Sequence, residues 1–209
     1  MGTTIAVLDY GSGNLHSVSR AIAKVGGDPL VTGQAHEVES AAALVIPGVG
    51  HFGSCMRAIA HHGLDQVIRD FHATGRPLFG VCVGMQVLFD SGVEHGISTP
   101  GCGEWPGVVE RLEAPVVPHM GWNTVDVAPG SLLFRGVEAE RFYFVHSYAV
   151  RRWELTTGER FAAPKVTWAE HGDRFVAAVE NGALAATQFH PEKSGDAGAQ
   201  LLQNWLEQL

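Results

Sequence analysis

A cysteine framed by glycines, and a histidine two residues ahead of a glutamate, are the groups in this chain best suited to chemistry. Cys82 lies in Pro77-Leu78-Phe79-Gly80-Val81-Cys82-Val83-Gly84-Met85-Gln86. An apolar run leads into it, glycines stand two residues away on each side, and a helix-like stretch follows. The Gly-x-Ser-x-Gly elbow of hydrolases holds its nucleophile on such a strand-to-helix turn, where flanking glycines leave room for a strained backbone. A cysteine in that place is a better nucleophile than serine, and a helix starting just after it favours the thiolate. The same pattern also describes a buried cysteine between two turn glycines, so it does not decide the matter alone.

His190-Pro191-Glu192 follows an apolar run. In extended chain, residues two apart point the same way, and proline stiffens the spacing. A cysteine nucleophile needs an imidazole to exchange protons and a carboxylate to orient that imidazole. His-x-Glu also opens the zinc deaminase signature, but no Pro-Cys-x-x-Cys follows. Pro47-Gly48-Val49-Gly50 supplies a glycine-rich strip whose N–H could face an oxyanion, with the second N–H from Val83. Gly11-Ser12-Gly13 follows a strand-like run, but His16 stands where a dinucleotide fingerprint needs glycine or alanine. Among the histidines, neither His-x-x-x-His nor His-Glu-x-x-His spacing occurs, so no metal site is expected. Cys55, with Met56 and Ile59, reads as a packing residue, and Cys102 lies in a glycine-rich loop without an assigned task.

These groups need a scaffold, and the composition supplies a globular one. The chain has 209 residues, 45% of them hydrophobic and 17% charged, with a net charge of −8. A chain of this size buries roughly 70% of its unfolded surface, and it is read as a single domain over residues 1–209. The acidic balance and the lack of a basic cluster argue against nucleic acid and anionic membranes as partners. No run reaches the ~18 apolar residues of a membrane span, and the start lacks a signal peptide's basic and apolar regions. Three cysteines without Cys-x-x-Cys spacing suit a reducing cytoplasm.

The apolar runs 5–8, 30–32, 43–46 and 77–81 read as strands. They alternate with helical patterns at 15–25, 37–42, 54–60 and 64–73, with Asn14 a candidate N-cap of the first helix. This alternation predicts an α/β, flavodoxin-like, doubly wound sheet with helices on both faces. Cys82 then lies at the carboxyl end of a central strand, where such sheets bind ligands. The second half has strand patterns at 108–112, 123–127, 142–148, 166–169, 175–180 and 183–189. Asn181-Gly182 predicts a type I′ hairpin turn, and a last helix covers 197–207. The sheet is therefore expected to be mixed. Residues 91–106 read as a loop, and 151–164 carry no motif.

Taken together, these residues resemble a class I (triad) glutamine amidotransferase: an elbow cysteine, then much later a strand ending in His-Pro-Glu. Met85-Gln86 after the elbow narrows the resemblance. So do Asp9-Tyr10-Gly11-Ser12-Gly13-Asn14-Leu15, Pro47-Gly48-Val49-Gly50-His51-Phe52 and Pro118-His119-Met120-Gly121-Trp122-Asn123. Phe142-Tyr143-Phe144-Val145-His146-Ser147-Tyr148 and Gln188-Phe189-His190-Pro191-Glu192-Lys193-Ser194 complete the set. All are similar to the glutaminase subunits of imidazole glycerol phosphate synthases.

The resemblance implies that Cys82 attacks the glutamine side-chain amide, His190 handles protons and Glu192 holds His190. It implies an oxyanion hole from Val83 and Val49 or Gly50, and glutamine contacts from Gln86, Glu94, His146, Ser147 and Tyr148, with Glu94 facing the α-ammonium. It further implies no cofactor, and a (β/α)8-barrel cyclase partner that takes the ammonia through a protected channel. Asn14, Trp122 and Lys193 would form the docking face, Trp122 as an anchor if exposed or as core if buried. Glutaminase activity would be weak until the partner binds its ligand, with the Gly48-Val49-Gly50 strip as the switch. The rival readings are another glutaminase, such as that of pyridoxal phosphate synthesis, a non-catalytic interaction subunit of the same fold, and a cysteine hydrolase of other amides.

Overall fold

The computed structural model describes residues 3–11, 13–155 and 163–209. The first half alternates as the sequence predicts: β1 (Thr4–Leu8), α1 (Leu15–Lys24), β2 (Asp28–Thr32), α2 (Ala35–Ser40), β3 (Ala43–Gly48), α3 (Phe52–His61), α4 (Leu64–Ala73) and β4 (Leu78–Cys82). A single helical turn, α5 (Val83–Gln86), follows Cys82. Next come β5 (Phe89–Glu94), β6 (Ile97–Pro100), β7 (Trp105–Arg111), β8 (His119–Thr124), β9 (Arg141–His146) and β10 (Tyr148–Val150). The chain ends with β11 (Lys165–His171), β12 (Asp173–Asn181), β13 (Leu184–Thr187), a 3-10 turn at Pro191–Lys193 and α6 (Gly195–Leu206).

The main sheet has seven strands in the order β11-β12-β13-β4-β3-β1-β2. The pairs from β2 to β13 are parallel, and β12 and β11 add antiparallel neighbours. Right-handed crossovers that step one way from β1 to β2, then the other way to β3 and β4, must put their helices on opposite faces. Accordingly α1 packs with α6, while α2 and α3 pack with α4. The central strands are covered on both faces: all of β3 and β4 is buried, and the ring of Phe79 lies 5.2 Å from that of Trp205. That explains their continuous apolar runs in place of alternation.

Three expectations need correction. Residues 91–106 are not a loop: β5 and β6 form a hairpin and, with β7 and β10, a second sheet. Its polar residues hid it, because β6 lies on the sheet edge with its side chains largely exposed. The Asn181-Gly182 turn is shifted by one residue: Asn181 pairs with Leu184, leaving Gly182-Ala183 as the loop. Only Gly182 has a positive φ (61°), the pattern of a type II′ turn with glycine first. Asn14 stands at the start of α1 without capping it. In 151–164, Arg151 is anchored by Asp173, Glu110 and Glu113, and Trp153 packs on Trp105; residues 156–162 of that stretch, like Ser12 of the Gly11-Ser12-Gly13 loop, lie outside the described residues.

Candidate active site

Cys82 closes β4 with φ 56° and ψ −113°, one of two non-glycine residues with positive φ among the described residues. Such a conformation is costly for a residue with a side chain and persists where the surroundings impose it. The flanking glycines do not share it, since neither Gly80 nor Gly84 has positive φ. They are glycine because the turn folds back onto the sheet. A Cβ on Gly84 would sit 2.7 Å from the Ile46 carbonyl carbon and nearer still to its oxygen. One on Gly80 would sit 2.8 Å from the Gly84 oxygen, and one on Gly48 2.8 Å from the Val83 carbonyl carbon. The three glycines thus let β3, β4 and α5 meet at backbone distance.

Strand register then decides the neighbours of Cys82. On one side Gly48 of β3 is directly opposite. On the other, β13 runs parallel with Thr187 opposite Val81, so Gln188 emerges beside Cys82 and His190 soon after. Two residues of extended chain and the 3-10 turn aim His190 and Glu192 at one another, with Nδ1 2.8 Å from Oε1. Ser194 secures that turn: its hydroxyl donates to the His190 carbonyl (2.7 Å) and accepts from the Tyr143 N–H (2.9 Å). His190 and Glu192 side chains are both almost wholly buried. Burial disfavours a charge on His190, but the Cys82 sulfur and then the Glu192 carboxylate outweigh it and lift its pKa to about 9. Its Nε2, the nitrogen turned from Glu192, has no hydrogen-bond partner among the described residues.

The remaining candidates fall into two groups. Val83 is the first residue of α5, so its N–H is among those a helix leaves unpaired internally. Val49 is exposed just beyond β3, and its carbonyl accepts from the Cys55 thiol (3.5 Å), which gives that packing residue a polar contact as well. Gly50 has φ 97°. Glu94 ends β5 and accepts from the Gly53 N–H (3.3 Å), with His51 at 3.9 Å. It lines a cleft of about 220 Å³ with Arg57 and His95, whose walls come from α3 and the β5–β6 hairpin and do not include Cys82.

Gln86 and His146 are committed within the protein. Gln86 Nε2 donates to the Tyr148 carbonyl (2.9 Å) and to Gln188 Oε1 (3.0 Å). His146 is buried, with Nδ1 on the same carbonyl (3.0 Å) and Nε2 3.1 Å from His119 Nδ1. Burial, then His119, pushes its pKa down to about 3, and burial, then His171, brings His119 to about 4. Ser147 lies between β9 and β10 with its carbonyl held by the Leu112 N–H (3.0 Å), and the Tyr148 ring is 6.3 Å from that of His95.

Asn14 directs its amide to Glu192 (3.5 Å), which explains why it does not cap α1. Trp122 is 49% exposed and Met120 63%, on the same face of β8, and Lys193 is exposed on the 3-10 turn. Two contributors escaped the sequence reading. Tyr10, buried, donates its hydroxyl to the Pro47 carbonyl (2.7 Å) and pins the glycine strip. Gln188 Nε2 lies 3.7 Å from Cys82 Sγ. Only knowledge that the strand ending at Thr187 pairs with β4 could have pointed to Gln188. Cys102 is buried and its thiol is pushed up to about 12 by desolvation, which makes it inert. No cluster of metal-ligating side chains occurs among the described residues.

A cysteine at the carboxyl end of a central strand, beside a charged histidine held by a carboxylate, can attack an acyl carbon and protonate its leaving group. The family profile described as glutamine amidotransferase class-I matches residues 6–209. The imidazole glycerol phosphate synthase subunit HisH of Nocardia farcinica is 60% identical over 207 residues, covering 99% of this chain and 98% of that protein. Its counterpart from Thermobifida fusca is 57% identical over the whole of both chains. Among solved structures, one described as a glutamine amidotransferase superposes with a TM-score of 0.74 at 23% identity, covering 98% of this chain and 97% of that one. PurLQS from Thermotoga maritima gives 0.72 at 17%, covering 99% of each; these two speak for the fold alone. With a family profile matched from the first strand to the last residue, the chain belongs to the class-I glutamine amidotransferases.

Proposed function

We propose that this chain is the glutaminase subunit of an imidazole glycerol phosphate synthase in histidine biosynthesis, acting as one domain over residues 1–209 in the cytoplasm. The observation that carries the chemistry is the parallel pairing of β13 with β4, which brings the His190–Glu192 pair to Cys82. Cys82 Sγ attacks the side-chain amide carbon of glutamine. The tetrahedral oxyanion is held by the N–H of Val83 and, after local rearrangement of the glycine strip, by that of Val49 or Gly50; each such donor is worth about 10²–10³ in rate. His190, charged at neutral pH, gives its proton to the amide nitrogen, and ammonia leaves as the thioester forms. Water then attacks the thioester, His190 takes its proton, and glutamate departs as the sulfur is released.

The substrate's α-ammonium lies toward Glu94, and Gln86, His146, Ser147 and Tyr148 form the walls, Gln86 and His146 by holding the Tyr148 main chain. Ammonia freed into bulk water would be diluted and protonated. It therefore passes to a (β/α)8-barrel cyclase that forms imidazole glycerol phosphate and an aminoimidazole carboxamide ribotide. Asn14, Trp122 and Lys193 line the docking face; the 60% identity to a HisH subunit over nearly the full length supports a partner subunit. The test is ammonia release from glutamine with and without the barrel subunit and its nucleotide ligand. Activity rising on addition of both, and abolished by Cys82→Ala without loss of fold, is the expected result. Vigorous activity without a partner, or full activity in Cys82→Ala, would overturn the proposal.

A further inference from the structure

The amide of Gln188 is oriented by a relay that begins at a main-chain carbonyl. The Tyr148 carbonyl oxygen can only accept. It takes a hydrogen bond from Gln86 Nε2 (2.9 Å), which fixes the end of the Gln86 amide that carries hydrogens. That same nitrogen donates to Gln188 Oε1 (3.0 Å), so the Gln188 oxygen must face Gln86. Its amino group is then left facing Cys82 Sγ, 3.7 Å away. Turning the Gln188 amide over would set donor against donor at Gln86 and oxygen against the sulfur lone pairs. Gln86 is 3% exposed and Gln188 1%, so water does not compete for these bonds.

We propose that Gln188 is a positioning residue for the Cys82 nucleophile, its N–H held against the sulfur by the relay from the Tyr148 carbonyl through Gln86. The proposal rests on Cys82 being the nucleophile. A buried N–H dipole favours negative charge on the sulfur, both before attack and when the thioester is hydrolysed and the sulfur leaves. It also restrains the side chain between His190 and the oxyanion strip. The relay moves no proton; it transmits orientation. A hydrogen bond to a charged group is worth enough for about a tenfold effect on rate.

The test compares Gln188→Met, which keeps the length but has no donor, with Gln188→Glu, which keeps the bond to Gln86 and the volume but puts oxygen at the sulfur. Each is measured in complex with the barrel subunit, for kcat and KM, and separately for the rate at which iodoacetamide alkylates Cys82 at fixed pH. The ultraviolet thiolate absorbance is read against a Cys82→Ser control. Alkylation and kcat are expected to fall about tenfold in Gln188→Met and at least as far in Gln188→Glu, with KM within twofold and thiolate absorbance reduced. Should either variant fail to fold, Gln86→Met, which leaves Gln188 present but unoriented, carries the test with a several-fold loss expected. Parental alkylation and kcat in the folded variants would overturn the proposal. Ammonia release by Cys82→Ser would instead refute the nucleophile assignment, a distinct outcome.

Discussion

Gly84→Ala separates two explanations of the elbow glycines. If they serve only to relax the backbone around Cys82, alanine should be tolerated, because Gly84 has an ordinary φ. The contacts say otherwise. The added methyl would lie 2.7 Å from the Ile46 carbonyl carbon, closer to its oxygen, and 3.3 Å from Ile46 Cγ2, against backbone of a strand buried throughout. Relief requires α5 to withdraw from β3 by about 1 Å. Overpacking of this kind destabilises by ~1–3 kcal/mol, and rigid backbone on both sides puts this case at the upper end. The withdrawal would carry Val83 and Cys82 away from His190, and a 1 Å misplacement costs about 10² in rate. Urea denaturation of the free subunit and glutamine turnover in the complex measure both effects. Gly96→Ala is the control: it has φ 78° and open space around its Cβ, so it should lose ~1 kcal/mol to strain and leave kcat unchanged. A Gly84→Ala protein within about 0.5 kcal/mol of the parent, with kcat within twofold, would refute the steric account.

Three further outcomes follow from the site. Glu192→Gln removes a carboxylate that holds the His190 charge, so the alkaline limb of the kcat/KM profile, set by an imidazolium that persists up to about pH 9, should move to lower pH; an unmoved limb would detach Glu192 from that role. His119 and His146 titrate near 4 and 3 when folded but near 6.5 when unfolded, so the stability they contribute is complete above pH 6.5 and is lost as pH falls below it, levelling off near their folded values. At pH 5 that is up to ~2 kcal/mol each, a ceiling for a coupled pair, and His119→Asn should flatten the acid limb of urea midpoints measured against pH. Trp122→Ala should weaken binding of the barrel subunit about tenfold or more in calorimetry while leaving the melting temperature of the free chain unchanged, because the ring is half exposed.

The central strands β1, β3 and β4 were legible because they are buried along nearly their whole length and so read as unbroken apolar runs, each ended by a glycine-rich turn. Cys82, His190 and Glu192 were legible for a related reason: each stands where such a run stops. The β5–β6 hairpin was not, since an edge strand such as Ile97–Pro100 has little apolar face to show. Asn14 misled because its side chain had two uses, a helix cap or a distant carboxylate, and the cap is the only one visible locally. Gln188 was invisible as a sulfur ligand because its contact depends on strand register across 106 residues. Local signals reveal the groups proposed to do chemistry; the groups that hold them still are set by pairing.

That division comes together at the Tyr148 carbonyl. It begins β10, whose pairing with Arg111 of β7 fixes it in the second sheet, apart from the strands that bear Cys82 and His190. Its oxygen accepts both Gln86 Nε2 and His146 Nδ1, so it sets the polarity of two chains at once. One runs through Gln188 to the sulfur. In the other, His146 must use Nε2 as an acceptor, so His119 donates from Nδ1 and its own Nε2 accepts from Asn123 Nδ2 (3.3 Å). Every member has one hydrogen-bonding sense; burial is the main reason both imidazoles are neutral, and the chain agrees with it, since protonating His146 would turn Nε2 into a donor facing the donor of His119. The Tyr148 oxygen by itself favours charge on His146, so the acid sensitivity expected of the histidines comes from their burial, while the orientation of the amide at Cys82 comes from that oxygen. A main-chain oxygen, which no side-chain substitution can remove, orients both chains, and this is how a second sheet absent from the reading of residues 91–106 reaches the proposed nucleophile.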